Sequence, residues 1–207
     1  MGWTVSCRLK KDGAQDPTVA PQVRPIGIGD TLRKAFHLHA MEANKEAMAS
    51  YLRPFNVVLE GGGATKLVNG NRMLLESHPG HVMIHIDVSN AFNELSRDAI
   101  VQRLGQVPSL AHMQRFMLKV LQQQSPLVLD GVVWEEEGLE VKSEERVVQG
   151  DPLSSAIFAV TMLPELQELD LALRVHSGMA RAGADDTFVV GPPIAALEAV
   201  KLFVLSR

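Results

Sequence analysis

The sequence holds a single cysteine, Cys7, in 207 residues. That excludes an intramolecular disulfide framework and any four-cysteine zinc site, and it fits a reducing compartment. No apolar run approaches the roughly 18 residues that a membrane span requires. The first ten residues lack a long apolar stretch, so no secretory signal is expected. A basic surplus is missing too: 20 Lys and Arg face 24 Asp and Glu, for a net charge of -4. Composition therefore carries no electrostatic footprint of a nucleic-acid binder. What is present is ordinary globular chemistry, 46% hydrophobic and 21% charged, enough for one domain or two small lobes. The expectation is an intracellular protein, nuclear or cytoplasmic, with no membrane partner.

The average hides an asymmetry. Residues 1–53 carry eight Lys and Arg (Arg8, Lys10, Lys11, Arg24, Arg33, Lys34, Lys45 and Arg53) against five acids, whereas 135–145 carry six Glu against one Lys. The acidic run reads as a solvated loop or hairpin edge. The basic part is a candidate phosphate-facing surface.

Hydrophobic spacing predicts the elements. Residues 12–22 are rich in Gly, Pro and Asp and read as a loop. A helix capped by Asp30 or Thr31 runs to Leu52, with Leu32, Ala35, Phe36, His39, Ala43 and Ala47 on one face. A second helix follows the Gly61-Gly62-Gly63 turn, over 64–77. Val82 to Ile86 is an apolar, β-branched run that reads as a buried strand ending at Asp87. Ser96 caps a short helix to Leu104. A helix over 109–123 turns Leu110, Met113, Met117, Val120 and Leu121 inward. Leu127-Val128-Leu129 and Val132-Val133-Trp134 flank Asp130-Gly131, a hairpin signal. A strand ends near Val147-Val148. A helix then starts near Leu153, with Pro164 as a kink or early stop. A second hairpin spans 179–190 with its tip at Gly183-Ala184-Asp185-Asp186, and a last helix follows Pro192-Pro193. The mixture predicts an α+β fold: an antiparallel sheet with helices on one face.

Asp87 ends a strand and Asp185-Asp186 tip a hairpin. If the two strands are neighbours, three carboxylates converge, and at about 4 Å their repulsion is several kcal/mol at an effective dielectric near 20. Either a pKa rises or a cation is present. Carboxylates with phosphate oxygens are the usual surroundings of Mg²⁺, and two such ions about 4 Å apart stabilise the attacking and leaving oxygens of phosphoryl transfer. Other metal readings are weaker: His37/His39 and His78/His81 lack Cys or carboxylate partners at zinc spacing. Gly61-Gly62-Gly63 lacks the Lys and Ser or Thr of a phosphate loop.

The neighbours of these acids carry a resemblance. Ile84-His85-Ile86-Asp87-Val88-Ser89-Asn90-Ala91-Phe92-Asn93 resembles the first catalytic motif of reverse transcriptases of the non-LTR (LINE-like) retrotransposon type. Val147-Val148-Gln149-Gly150-Asp151-Pro152-Leu153-Ser154 resembles their second palm motif, and Ala184-Asp185-Asp186 the third. Arg24-Pro25-Ile26 with Lys10-Lys11 is similar to the fingers segment. The four elements occur in family order. The resemblance implies a partial fingers segment over 1–56 and a palm over 57–207, with the thumb absent. It implies an RNA-directed DNA polymerase core that joins a primer 3′-OH to the α-phosphorus of a deoxynucleoside triphosphate and releases pyrophosphate. Asp87, Asp185 and Asp186 would be catalytic and, with the Val88 carbonyl, would bind two Mg²⁺ or Mn²⁺ ions. Lys10 or Lys11 and Arg24 would hold the triphosphate. Phe92 would be the sugar gate against a ribose 2′-OH. Gln149 and Gly150 would border the nucleotide and the template. The implied partners are an RNA template, a DNA primer and deoxynucleoside triphosphates. Two departures are visible: Gly183 stands where the family usually has Tyr, and Asn56-Val57-Val58 lacks the usual Gln-aromatic-Gly. The alternatives are an RNA-dependent RNA polymerase palm, or a catalytically silent retroelement remnant that acts at most as a binding fragment.

Overall fold

The computed structural model describes residues 3–10, 23–29, 31–87, 95–122, 125–129, 132–133, 135–136, 139–140, 142–143 and 150–205. Strands β1 (Trp3–Lys10) and β2 (Val23–Gly29) are followed by helices α1 (Thr31–Leu52) and α2 (Gly63–Ser77), then β3 (Val82–Ile86). Helices α3 (Arg97–Gln106) and α4 (Ala111–Gln122) lead to the short strands β4 (Ser125–Leu129), β5 (Val132–Val133), β6 (Glu135–Glu136), β7 (Leu139–Glu140) and β8 (Lys142–Ser143). The chain continues through α5 (Ser154–Arg174), β9 (Met179–Gly183), β10 (Asp186–Gly191) and α6 (Pro193–Leu205). This is the expected α+β class. The expected hairpin across Asp130-Gly131 forms, with Val128 opposite Val133 and Leu129 opposite Val132. The loop over 12–22, Trp134 and the strand end near Val147-Val148 lie outside the described residues. No helix among those described is long and apolar enough to cross a membrane.

Two apolar clusters share one helix. The first gathers Met48 and Leu52 of α1, Ile100 and Leu104 of α3, Met113 and Met117 of α4, and the α5 stretch from Ala156 to Leu163. The second packs Leu166, Leu169 and Leu173 of α5 and Ala196, Ala199 and Phe203 of α6 against Ala180, Ala182 and Val189 of the sheet. α5 is therefore apolar on most of its circumference, as expected of a helix enclosed on several sides. That enclosure explains a correction to the sequence reading. Pro164 lies inside α5, and the helix runs through it to Arg174 without stopping. The hydrogen bond that Pro164 cannot donate is outweighed by the burial of Val160, Leu163 and Leu166 around it.

A second correction concerns α1. The face predicted to be inward is turned out: Leu32 is 61% and Phe36 62% exposed. The buried residues are His37, Met48, Ala49 and Leu52. A polar contact sets this rotation, because His37 Nδ1 bonds the Asp151 carboxylate and its ring meets Phe116 edge-on at 5.8 Å.

The three-stranded sheet has the order β3-β10-β9, antiparallel throughout. β3 forms where expected but is an edge strand and not buried, with Val82 37% and Met83 48% exposed. Its inward residues Ile84 and Ile86 pack on the second core. The far edge of β9 is covered by the segment after α1, where Asn56 bridges Ala182 in parallel fashion. β1 and β2 belong to a different sheet, of order β2-β1-β4-β5 with β8 also pairing β4.

The sheet is tied to α5 by Asp170, whose side chain is 1% exposed. It accepts hydrogen bonds from Arg174 Nε at 2.6 Å, Arg181 Nη1 at 2.6 Å and the Ala180 backbone N–H at 2.9 Å. Both guanidinium groups also lie over the Phe55 ring, at 5.8 Å and 5.2 Å. Removing the carboxylate leaves the buried Ala180 amide without a partner and Arg181 without its counter-charge, holding only the Ala180 carbonyl and the Phe55 ring. Arg174 is half exposed and finds water instead. Asp170→Ala is expected to lower the unfolding free energy by about 3 kcal/mol. Urea denaturation followed by circular dichroism measures it, and a loss below about 1 kcal/mol would show the knot to be dispensable.

Candidate functional site

The β3–β10 ladder pairs Val82 with Gly191 at one end and Ile86 with Thr187 at the other. One step beyond that last pair, Asp87 and Asp186 stand at opposed positions at the same end of the sheet. Asp186 in turn pairs with Gly183, so Ala184 and Asp185 form a two-residue loop between β9 and β10. The adjacency of the strand-end Asp and the hairpin-tip pair, conditional in the sequence, is thus set by the register. Asp87 and Asp186 are exposed and Asp185 is half-buried.

The three acids differ in their company. Asp186 Oδ1 accepts from His85 Nε2 at 2.9 Å, and the His85 ring stacks on Phe188 with centroids 4.6 Å apart. Asp87 and Asp185 have no salt-bridge partner among the described residues. Nor do three His, Cys, Asp or Glu side chains among those residues form a group able to hold a metal ion. The chemistry of the donor set nonetheless suits a hard divalent cation: two carboxylates with no ion-pair partner among the described residues, and a third engaged on one oxygen. Val88, whose carbonyl was expected to assist, lies outside the described residues.

The turn itself is held from outside the hairpin. Ala184 has a φ of 61°, a left-handed conformation that costs a non-glycine residue roughly 1–2 kcal/mol. The Asn56 side chain, 4% exposed, donates from Nδ2 to the Ala184 carbonyl at 3.0 Å. Its Oδ1 accepts from the Ala184 N–H at 3.3 Å and the Val58 N–H at 3.0 Å.

A second anchored turn opens α5. Gly150 has a φ of 108°, which a side chain would disfavour. Asp151 Oδ1 accepts from the Leu153 N–H at 2.8 Å, and Oδ2 meets buried His37. The segment expected to border nucleotide and template is therefore pinned to α1. Lys10 ends β1 opposite Val23, and Arg24 lies in β2 opposite Leu9. Both strands belong to the other sheet. Lys11, Phe92 and Gln149 lie outside the described residues.

Sequence reading missed three residues at this site: Asn56, His85 and His37. His37 was weighed only as a metal ligand. Asn56 was noted only as a departure from the family pattern, and His85 only as part of an apolar strand. Their partners lie 128, 101 and 114 positions away, so nothing local signals the contacts.

No protein-family model matches the chain, and no curated protein sequence does. Solved structures of telomerase do share its fold. The apo telomerase of Candida tropicalis, truncated from its C-terminal domain, superposes with a TM-score of 0.57 at 14% identity, covering 89% of this chain and 44% of that one. The apo telomerase of Candida tropicalis gives 0.54 at 13% identity, covering 83% and 32%. The telomerase of Candida albicans, in complex with a TWJ fragment of telomeric RNA, gives 0.56 at 13%, covering 89% and 37%. The chain thus shares the fold of part of these telomerases, and it spans less than half the length of each of them.

The departure at Gly183 has a packing correlate. A Cβ there would lie 3.3 Å from Leu67 Cδ2 and 3.9 Å from Val57 Cγ2. Leu67 is itself buried in α2. Gly183→Ala is expected to change stability by less than about 1 kcal/mol, while Gly183→Tyr costs roughly 1–3 kcal/mol by overpacking. Thermal or urea unfolding of both variants checks this. Equal stability of the Tyr variant and the parent would mean that the ring points away from Leu67.

Proposed function

We propose that this chain is most of the fingers–palm core of an RNA-directed DNA polymerase of retroelement type. It would extend a primer 3′-OH with deoxynucleoside triphosphates on an RNA template. The single observation that carries the reading is the ladder end at which Asp87 faces the Asp185-Asp186 turn. The telomerase-like fold supports it, and the neighbour solved with telomeric RNA supports an RNA partner. Asp87 and Asp185, with Asp186 beside them, would hold two Mg²⁺ or Mn²⁺ ions. When bound, such ions neutralise charge on the transferring phosphoryl group and lower the pKa of the attacking hydroxyl.

The chain's own residues supply position and charge, not covalent chemistry. The acids stand where two paired strands end, and Ile84, Ile86 and Val189 of those strands pack on the second core, which limits the drift of the acids during turnover. His85 holds one oxygen of Asp186. The Gly150 turn lets the backbone approach a nucleotide closely, and His37 with Asp151 fixes that turn against α1. From the resemblance come the triphosphate contacts of Lys10, Lys11 and Arg24, the border formed by Gln149, and the sugar gate at Phe92. The alternative of a silent remnant has one observation in its favour: Leu67 lies beside the Gly183 position where the family has an aromatic ring.

Primer extension on an RNA template at low salt tests the reading. Short, distributive addition of deoxynucleotides is expected, because a net charge of -4 steers a polyanion weakly. It should be lost in Asp185→Asn. Addition that persists in Asp185→Asn, or none by the parent chain, would overturn the enzymatic reading. Phe92→Ala should raise ribonucleotide incorporation by removing the clash with the 2′-OH. Unchanged discrimination between the two sugars would remove Phe92 from the gate.

A further inference from the structure

Asn56 lies in the connection between α1 and α2, far in sequence from every acid of the site. Yet its backbone neighbours are bonded to β9: the Val57 N–H donates to the Ala182 carbonyl at 3.0 Å, and the Ala182 N–H donates to the Phe55 carbonyl at 2.8 Å. This short parallel bridge ends at the last residues of β9, where the hairpin turns. The Asn56 side chain continues the ladder past that end. Its Nδ2 donates to the Ala184 carbonyl, and its Oδ1 accepts from the Ala184 N–H as well as from the Val58 N–H.

Two further facts make the contact more than a filler. Asn56 is buried, so its amide had to find partners inside the protein. Ala184 sits in the left-handed region, which alanine does not favour, so surrounding contacts must hold it there. Asn56 is the side chain that engages both of its backbone groups, and Asp185 is the next residue along. The direction in which Asp185 leaves the turn is therefore set in part from the α1–α2 connection.

We propose that Asn56 is a positioning residue for Asp185, holding the hairpin turn so that this carboxylate faces the strand end at Asp87. The inference rests on the metal-binding carboxylate reading, and the test separates the two. Four proteins are compared: the parent, Asn56→Ala, Asp185→Asn and the double variant. The first readout is amide hydrogen exchange across 180–186. The second is Mn²⁺ binding to the purified chain, followed by electron paramagnetic resonance.

Asn56→Ala should speed exchange at the Ala184 amide about tenfold, the effect of one lost hydrogen bond, with the α3 and α4 core unchanged. It should weaken Mn²⁺ binding several-fold, and that weakening should vanish in the Asp185→Asn background. Faster exchange with unaltered Mn²⁺ affinity would overturn the positioning role alone. So would weakening of equal size in both backgrounds. Mn²⁺ affinity that is the same in the parent and Asp185→Asn, or undetectable in the parent, would instead sink the metal reading underneath. Should Asn56→Ala not fold, Asn56→Ser provides the same comparison, since its hydroxyl is too short to engage both Ala184 groups.

Discussion

The buried carboxylate of Asp170 is the constraint on which the arrangement hangs. α5 must serve two apolar clusters, its first half packed among α1, α3 and α4 and its second half under the sheet. Apolar contact is not directional and would let β9 slide along such a helix. Asp170 removes that freedom, because it accepts from a backbone amide and an arginine of β9 and from an arginine of its own helix. A charge this deeply buried is tolerated only when hydrogen-bonded on several sides. The register of β9, and through it of β10 and β3, is thereby referred to α5.

From that register the candidate site follows. The turn between β9 and β10 has just two residues, so where the strands end is where the acids stand. Three polar contacts then sharpen the arrangement from outside the sheet. Asn56 grips the turn, His85 takes one oxygen of Asp186, and His37 with Asp151 fixes the entrance to α5. Two of these contacts reach back to α1 or to its connection with α2. The helical lobe is thus part of the site's support as well as its neighbour in sequence. Buried polar contacts of this kind add little net stability, but each is costly to leave half-made, so they select one arrangement.

The likeness to telomerase at 13–14% identity shows how little of the sequence a shared fold requires. An apolar pillar helix, a short antiparallel sheet and a two-residue acidic turn specify the topology through pattern and length. Many side chains satisfy those demands. Gly183 illustrates the latitude: Leu67 of α2 packs 3.3 Å from where a Cβ at that position would lie.

By itself the sequence determined the class of fold, most element boundaries, the pairing of the strands that flank Asp130-Gly131 and a hairpin tip within Gly183-Ala184-Asp185-Asp186. These are local properties: apolar periodicity, turn chemistry and a strand that stops at an aspartate. The tertiary structure decided the rest. Periodicity alone put Leu32 and Phe36 of α1 inward, but the helix buries His37, bonded to Asp151, together with Met48, Ala49 and Leu52 instead. Pro164 read as a kink or early stop, and the helix does not stop there, because an enclosed helix absorbs the lost bond. The run from Val82 to Ile86 read as buried, but the strand order left it at an edge. Asn56 and His85 gained their roles from partners more than a hundred residues distant. A side chain's partner across such a distance depends on how packed elements are rotated and registered against one another. No local pattern encodes that, because it emerges only when the whole core closes.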